Sequence, residues 1–200
     1  MIPRKERLAA AAKAAADAAA TAPCAAAALV GASAGRTPGS FTYKNLILKG
    51  IPVLELTNSE INEIHAAGAI TFVTKAGDNV TTEGKAASGE YIDIVDSKDF
   101  IISNMEYGTQ KLLNSLPKIP YDNTGIAQLE NVAINVLKAA FDNGIIAADE
   151  DGSPMFSVNY AMRDEVNPAD RSERQYLGGR FSFVLAGAVH NVTVTGELII

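Results

Sequence analysis

Tryptophan is absent, cysteine occurs once, at Cys24, and histidine twice, at His65 and His190. A lone cysteine excludes an intramolecular disulfide framework and any zinc site built on cysteine. Positive charge is also short: 17 Lys and Arg stand against 23 Asp and Glu, a formal net charge of −6. Phosphate recognition needs clustered cations, so this balance supplies no general attraction to nucleic acid or to an anionic membrane. No apolar run reaches the ~20 residues that a bilayer-spanning helix needs. What remains is 200 residues, 48% of them hydrophobic, enough to bury a core as one domain, or one domain plus an arm. The composition predicts a protein-binding domain assembled in the cytoplasm without disulfides, cofactor or metal.

Residues 1–37 form a low-complexity segment that opens on Pro3-Arg4-Lys5-Glu6-Arg7 and continues as alanine. Alanine has the highest helix propensity, and Lys13 and Asp17 are an opposite-charge pair four residues apart, so helix is its natural ordered state. Alanine buries little area, so such a helix packs weakly and the segment is helical or disordered. A secretory leader would need an uninterrupted apolar stretch and a small-residue cleavage site. Lys13 and Asp17 break the first, and Pro23 spoils the second.

From Pro38 the texture becomes that of a folded domain, taken as 38–200. Phe41 to Leu48 reads as a strand. Thr57-Asn58-Ser59-Glu60 has the spacing of a capping box ahead of Ile61, Ile64 and Ala67, with Gly68 as a stop. Alternation resumes through Phe72 to Lys75, and Gly77-Asp78-Asn79 turns the chain into Val80-Thr81-Thr82. Glu90 to Val95 reads as another strand, and Ser97 as the cap of a helix to about Leu116. Its apolar face is Ile101, Ile102, Met105, Leu112, Leu113 and Leu116, and Pro117 and Pro120 end it. Thr124 is the expected cap of a second helix carrying Ile126, Leu129, Val132, Val136, Leu137, Ala140 and Phe141, closed by Asn143-Gly144. Met155 to Tyr160 and Arg180 to Ala186 are further strands. His190 to Ile200 alternates with period two, placing Val192, Val194, Leu198 and Ile200 on one face. The fold class expected is α+β: a mixed or antiparallel sheet packed against two long helices.

Candidate chemistry is sparse. Gly31-Ala32-Ser33-Ala34-Gly35 matches the G-x-S-x-G nucleophile elbow in letters, and His190 follows in hydrolase order, giving a serine-hydrolase alternative. The elbow needs a strand before the serine and a helix after it, whereas alanine precedes Ser33 and Thr37-Pro38-Gly39 follows. Asp93, Asp96 and Asp99 are spaced by three, unlike the alternate ligands of a calcium loop, and suit the first turns of a helix. Asp149-Glu150-Asp151-Gly152 reads as a solvated turn. His65 fits the C-terminal turn of a short helix. Arg171, Arg174 and Arg180, interleaved with Asp164, Glu165, Asp170 and Glu173, suggest a solvated or inter-subunit salt-bridge network. No catalytic, cofactor-binding or metal-binding residue is therefore expected.

The ending is the specific feature. A regular apolar-faced strand with only Gly196 and Glu197 interrupting it lacks the charge, proline or bulges that normally blunt an exposed edge. It suits strand addition between subunits, with Asn191, Val192, Thr193, Val194, Thr195, Leu198, Ile199 and Ile200 as the linking strand. An exposed edge that captures an unrelated peptide is the other reading of the same pattern.

Several passages, in order, resemble the C-terminal half of a contractile bacteriophage tail sheath protein. They are Pro38-Gly39-Ser40-Phe41-Thr42-Tyr43, Leu48-Lys49-Gly50-Ile51, Ser88-Gly89-Glu90-Tyr91-Ile92-Asp93 with Asp99-Phe100, and Lys118-Ile119-Pro120-Tyr121-Asp122 with Gly125-Ile126. Arg174 and Leu185-Ala186-Gly187-Ala188-Val189-His190 follow, leading into the last strand. The resemblance implies a non-enzymatic virion component. It implies homo-oligomeric six-fold rings stacked helically around a tail tube, joined by shared terminal strands, with tube and baseplate proteins as partners. Assembly in the bacterial host cytoplasm and residence in the phage tail are implied too, with no direct nucleic-acid contact and no membrane insertion. Lys111 and Lys118 are the candidates for facing an acidic tube. The resemblance also implies outer domains and an arm ahead of this half, so Met1 falls within the connector and the chain is expected to be completed by its neighbours.

Overall fold

A computed structural model describes residues 24–196. The chain divides into two compact units, one holding Thr42–Ile92 with the described residues before 37, the other holding Thr37–Phe41 and the described residues from Asp93 onward.

The first unit opens with helix α1, residues 24–33, and then α2, Asn58–Ala66. The capping box forms as the spacing requires: Glu60 N donates to Thr57 Oγ1 at 3.4 Å and Thr57 N to Glu60 Oε2 at 2.7 Å. The Thr57 N–H, and then the Thr57 hydroxyl at 2.8 Å, donate to the Glu60 carboxylate and hold its pKa below the ordinary value. Gly68 takes φ 75° past the cap. Strands β1, Phe72–Lys75, and β2, Asp78–Thr81, pair antiparallel with Lys75 opposite Asp78. The turn is thus Ala76-Gly77, both at positive φ (51° and 92°), the form whose twist suits a two-residue hairpin. It lies one residue earlier than expected.

The strand expected over Phe41 to Leu48 does not form. Asn45 adopts φ 63°, and the Thr81 hydroxyl, accepting from Leu46 N at 2.8 Å and donating to Tyr43 O, competes with regular ladder bonding. The alternation survives without the ladder: Leu46 and Leu48 are buried and Ile47 is exposed. They join Ile61, Phe72, Val73 and Val80 in the buried set of this unit.

In the second unit, α3, Ile92–Ser115, absorbs the strand expected over Glu90 to Val95. Only Tyr91 keeps a bridge, to Lys85. Ser97 is not a cap but sits inside the helix, where its hydroxyl donates to Asp93 O one turn back at 2.6 Å. Gly39, at φ 79°, packs so tightly on Ser97 that a Cβ there would collide with Oγ. Helix α4, Asn123–Asp142, is capped by Asp122, whose Oδ1 accepts from Gly125 N at 2.9 Å, rather than by Thr124. Its buried side includes Ile126, Ala133, Leu137 and Ala140.

Strand β3, Phe156–Tyr160, pairs antiparallel with β4, Gly179–Phe183, from Phe156 opposite Phe183 to Tyr160 opposite Gly179. Helix α5, Pro168–Ser172, lies between them in sequence, capped by Asn167. Along β3, half-buried Phe156, Val158 and Tyr160 alternate with exposed Ser157 and Asn159. Phe156, Val158 and Phe183 pack against the core of Ile101, Leu137, Ala140, Ile145 and Ile146. The class is α+β, with two long helices and small antiparallel sheets. Within the chain, two of the loop's arginines are held by main-chain carbonyls. Arg171 Nη1 donates to the Arg163 and Val166 carbonyls at 2.6 and 2.9 Å, and Arg180 Nη1 to those of Leu177 and Gly179. The loop's ion pair among the described residues is exposed Arg163–Asp164 at 3.6 Å.

Candidate assembly interface

After β4 the chain makes one more bridge, Leu185 to Ile146, and then leaves the sheet. Residues 187–196 carry no strand assignment, so the strand expected from His190 does not form a regular ladder among the described residues. A strand needs a partner for its main-chain groups, and the chain's own ladder ends at Leu185. Val189, Val192 and Val194 are 81%, 77% and 86% exposed, as few valines in a folded protein are. Of the proposed linking residues, Asn191, Val192, Thr193, Val194 and Thr195 lie exposed on this segment. Leu198, Ile199 and Ile200 fall outside the described residues.

Beside the last β3–β4 pair, Tyr160 opposite Gly179, lies a groove of about 590 Å³. Leu113 of α3, Ile119 and Tyr121 of the connection, Leu129 of α4, and Arg174, Tyr176 and Leu177 ahead of β4 line it with Tyr160. Its aromatic wall is internally ordered. Tyr160 and Tyr176 stack with centroids 5.7 Å apart, and Tyr121 meets Tyr176 edge-on at 6.2 Å. Tyr121 OH donates to Gln175 O at 2.8 Å and Tyr176 OH to Ala161 O at 2.9 Å. Desolvation first, then the neighbouring tyrosines, Glu130 and Glu165, pushes Tyr176 up to about 12. Burial and then Glu130 raise Tyr160 as well. These hydroxyls therefore stay protonated near neutrality, as donors on an apolar wall. The three tyrosines are far apart in sequence, so although Tyr121 falls in one of the passages that carry the resemblance, nothing local joins it to Tyr160 and Tyr176. The available signal was position: Tyr121 falls at the break between two helices and Tyr160 at a strand end.

The other candidates resolve as follows. Lys111 is exposed on α3 with Nζ 5.8 Å from the Tyr107 ring centroid, and Lys118 is exposed in the α3–α4 connection. Ser33 ends α1, and its hydroxyl donates to Val30 O at 2.9 Å. A helix precedes it where the elbow demands a strand, so the nucleophile geometry is missing. Asp93, Asp96 and Asp99 lie on the first two turns of α3, and among the described residues no His, Cys, Asp and Glu group is placed to hold a metal. His65, in the last turn of α2, bonds Thr82 Oγ1 through Nε2 at 2.7 Å, beside a Thr71–Thr82 hydroxyl pair. No described helix is long and apolar enough to cross a membrane.

No protein-family model and no curated protein sequence matches the chain. Solved structures do. A chain of the anti-feeding prophage baseplate superposes with TM-score 0.66 at 11% identity, over 86% of this chain and 48% of that one. A chain of the same prophage's helical sheath in the contracted state gives 0.65 at 11%, over 84% and 48%. The chain has the fold of a contractile sheath protein. A third sheath complex, of the PVC extracellular contractile injection system in its contracted state, gives 0.63 at 9% identity, again over 84% of this chain and 48% of that one. This sheath-type chain spans about half the length of the chains it matches. The superposed neighbours are structural components rather than enzymes.

Proposed function

We propose that this chain is a structural subunit of a contractile tail sheath, polymerising around a tail tube through shared terminal strands. The observation that carries the reading is the exposure of Val192 and Val194 on the segment that follows the last bridge of a sheath-type fold. Residues 191–200 add as a linking strand to the sheet of a neighbouring copy. Each main-chain bond so made contributes about 0.5–1.5 kcal/mol net, enough in sum to tether units that rotate against one another. Contraction needs no fuel if the extended lattice is held in a kinetic trap above the contracted one.

In this reading residues 38–200 are the sheath body and 1–37 a connector. The partners are further copies in stacked six-fold rings, a tail tube met by Lys111 and Lys118, and a baseplate. The site of action is the virion tail, after assembly in the host cytoplasm.

Electron microscopy of the purified chain at high concentration, with and without tail tubes, tests the proposal. Rings or helical tubes that disappear on deleting residues 191–200 are expected. A monomer at every concentration, indifferent to the deletion, would contradict it.

A further inference from the structure

We infer that Asn143-Gly144 is a self-modification site that the end of α4 keeps shut. When that end opens, Asn143 converts through a cyclic imide to aspartate or isoaspartate, and the isoaspartate form no longer rebuilds the cap. The site is independent of how copies assemble, since only the helix end and the core beneath it take part.

The chemistry is that of an asparagine followed by glycine, where no Cβ shields the next main-chain nitrogen. The Gly144 nitrogen attacks Asn143 Cγ and a C–N bond forms. The carboxamide nitrogen leaves as ammonia, taking up the proton that Gly144 gives up. Water then opens the imide at either carbonyl. One opening leaves aspartate; the other leaves isoaspartate, whose main chain runs through the former side chain and is one atom longer.

The folded chain blocks the first step in three ways. The nucleophile is occupied, because Gly144 N donates to Phe141 O at 2.8 Å. The electrophile is tied down, because Asn143 Nδ2 donates to Ala139 O at 2.7 Å. The dihedral is wrong as well. Ring closure eclipses Cβ with the Gly144 nitrogen, whereas ψ of 4° at Asn143 eclipses the residue's own nitrogen instead. Together with Ile145 N donating to Ala140 O at 3.0 Å, the Gly144 bond makes a Schellman cap. Its left-handed position, Gly144 at φ 72°, favours glycine, so the cap itself brings the reactive pair together.

Opening is also hard to reverse once the reaction has run. Either product adds a negative charge at the C-terminal end of α4, where the helix dipole disfavours it and the last turn has no basic residue. Isoaspartate further displaces Ile145 and Ile146, 1% and 2% exposed in the core, and with them the bridge to Leu185.

Peptide mass spectrometry of the full chain, incubated at neutral pH in buffer or in guanidinium chloride, tests the site. Conversion of Asn143 is read by its mass gain and by fragmentation that separates isoaspartate from aspartate. It should run at least tenfold faster in denaturant, the ratio reporting how rarely the helix end opens. Equal rates in the two solutions overturn the seal, and no conversion in denaturant overturns the site. Isoaspartate-bearing chain returned to buffer should lose amide protection across residues 139–146 relative to unconverted chain treated alike. Full protection there overturns the irreversible step.

Discussion

Tyr176 shows how one side chain ties the second unit together. Its ring stacks on Tyr160, its edge contact is Tyr121, and its hydroxyl closes on the Ala161 carbonyl. Its pKa stands at about 12 against an ordinary 10.0. A phenol whose folded pKa is raised contributes stability that is fully present below the unfolded value and lost as pH rises through the folded one. The second unit should therefore hold its stability up to about pH 10 and lose it progressively towards pH 12, with a late phenolate absorbance step that Tyr176→Phe removes. The same substitution deletes one hydrogen bond and should cost about 1 kcal/mol in denaturant unfolding. A phenolate step at the ordinary value would count against the desolvated wall. At this scale little was legible beforehand, because the three tyrosines meet only in the folded chain. Polar residues were misjudged for a related reason. Ser97 and Thr124 have the right chemistry for helix caps, but Asp122 claims one cap and Ser97 bonds back to Asp93 inside the other helix.

Among the elements, the helices were the most legible and the strands the least. Period and punctuation locate α2 and α4, since the capping box at Thr57 and the Asn143-Gly144 stop are local chemistry. Thr57→Ala should destabilise α2 by about 1 kcal/mol, seen as faster amide exchange in Asn58–Ala66 with the second unit unchanged. Leu137, fully buried on α4 in the main core, should cost about 2–5 kcal/mol as Leu137→Ala. Gly125→Ala tests a different cause. A Cβ there would run into the Pro120 carbonyl, so the substitution should destabilise the start of α4 although alanine is the better helix former. A neutral or stabilising result would mean that the Pro120 turn gives way freely. Strands depend on partners that sequence does not name. Phe41 to Leu48 keeps the alternation of a strand but loses its ladder at Asn45, while β1 and β2 form because their partner is two residues away.

For the whole molecule, the arm and the sheath-type fold belong to one argument. The alternation of His190 to Ile200 was plain in the sequence, yet the last bridge among the described residues is Leu185 to Ile146, and no strand is assigned over 187–196. In the proposed function, that alternating pattern is completed by the sheet of a neighbouring copy. Amide hydrogen exchange across residues 192–196, compared between dilute monomer and assembled particles, tests this most directly. The account predicts fast exchange in the monomer and strong, alternating protection on assembly, the signature of ladder bonds made with another copy. Protection already complete in the dilute monomer, or none in the assembled particles, would contradict it.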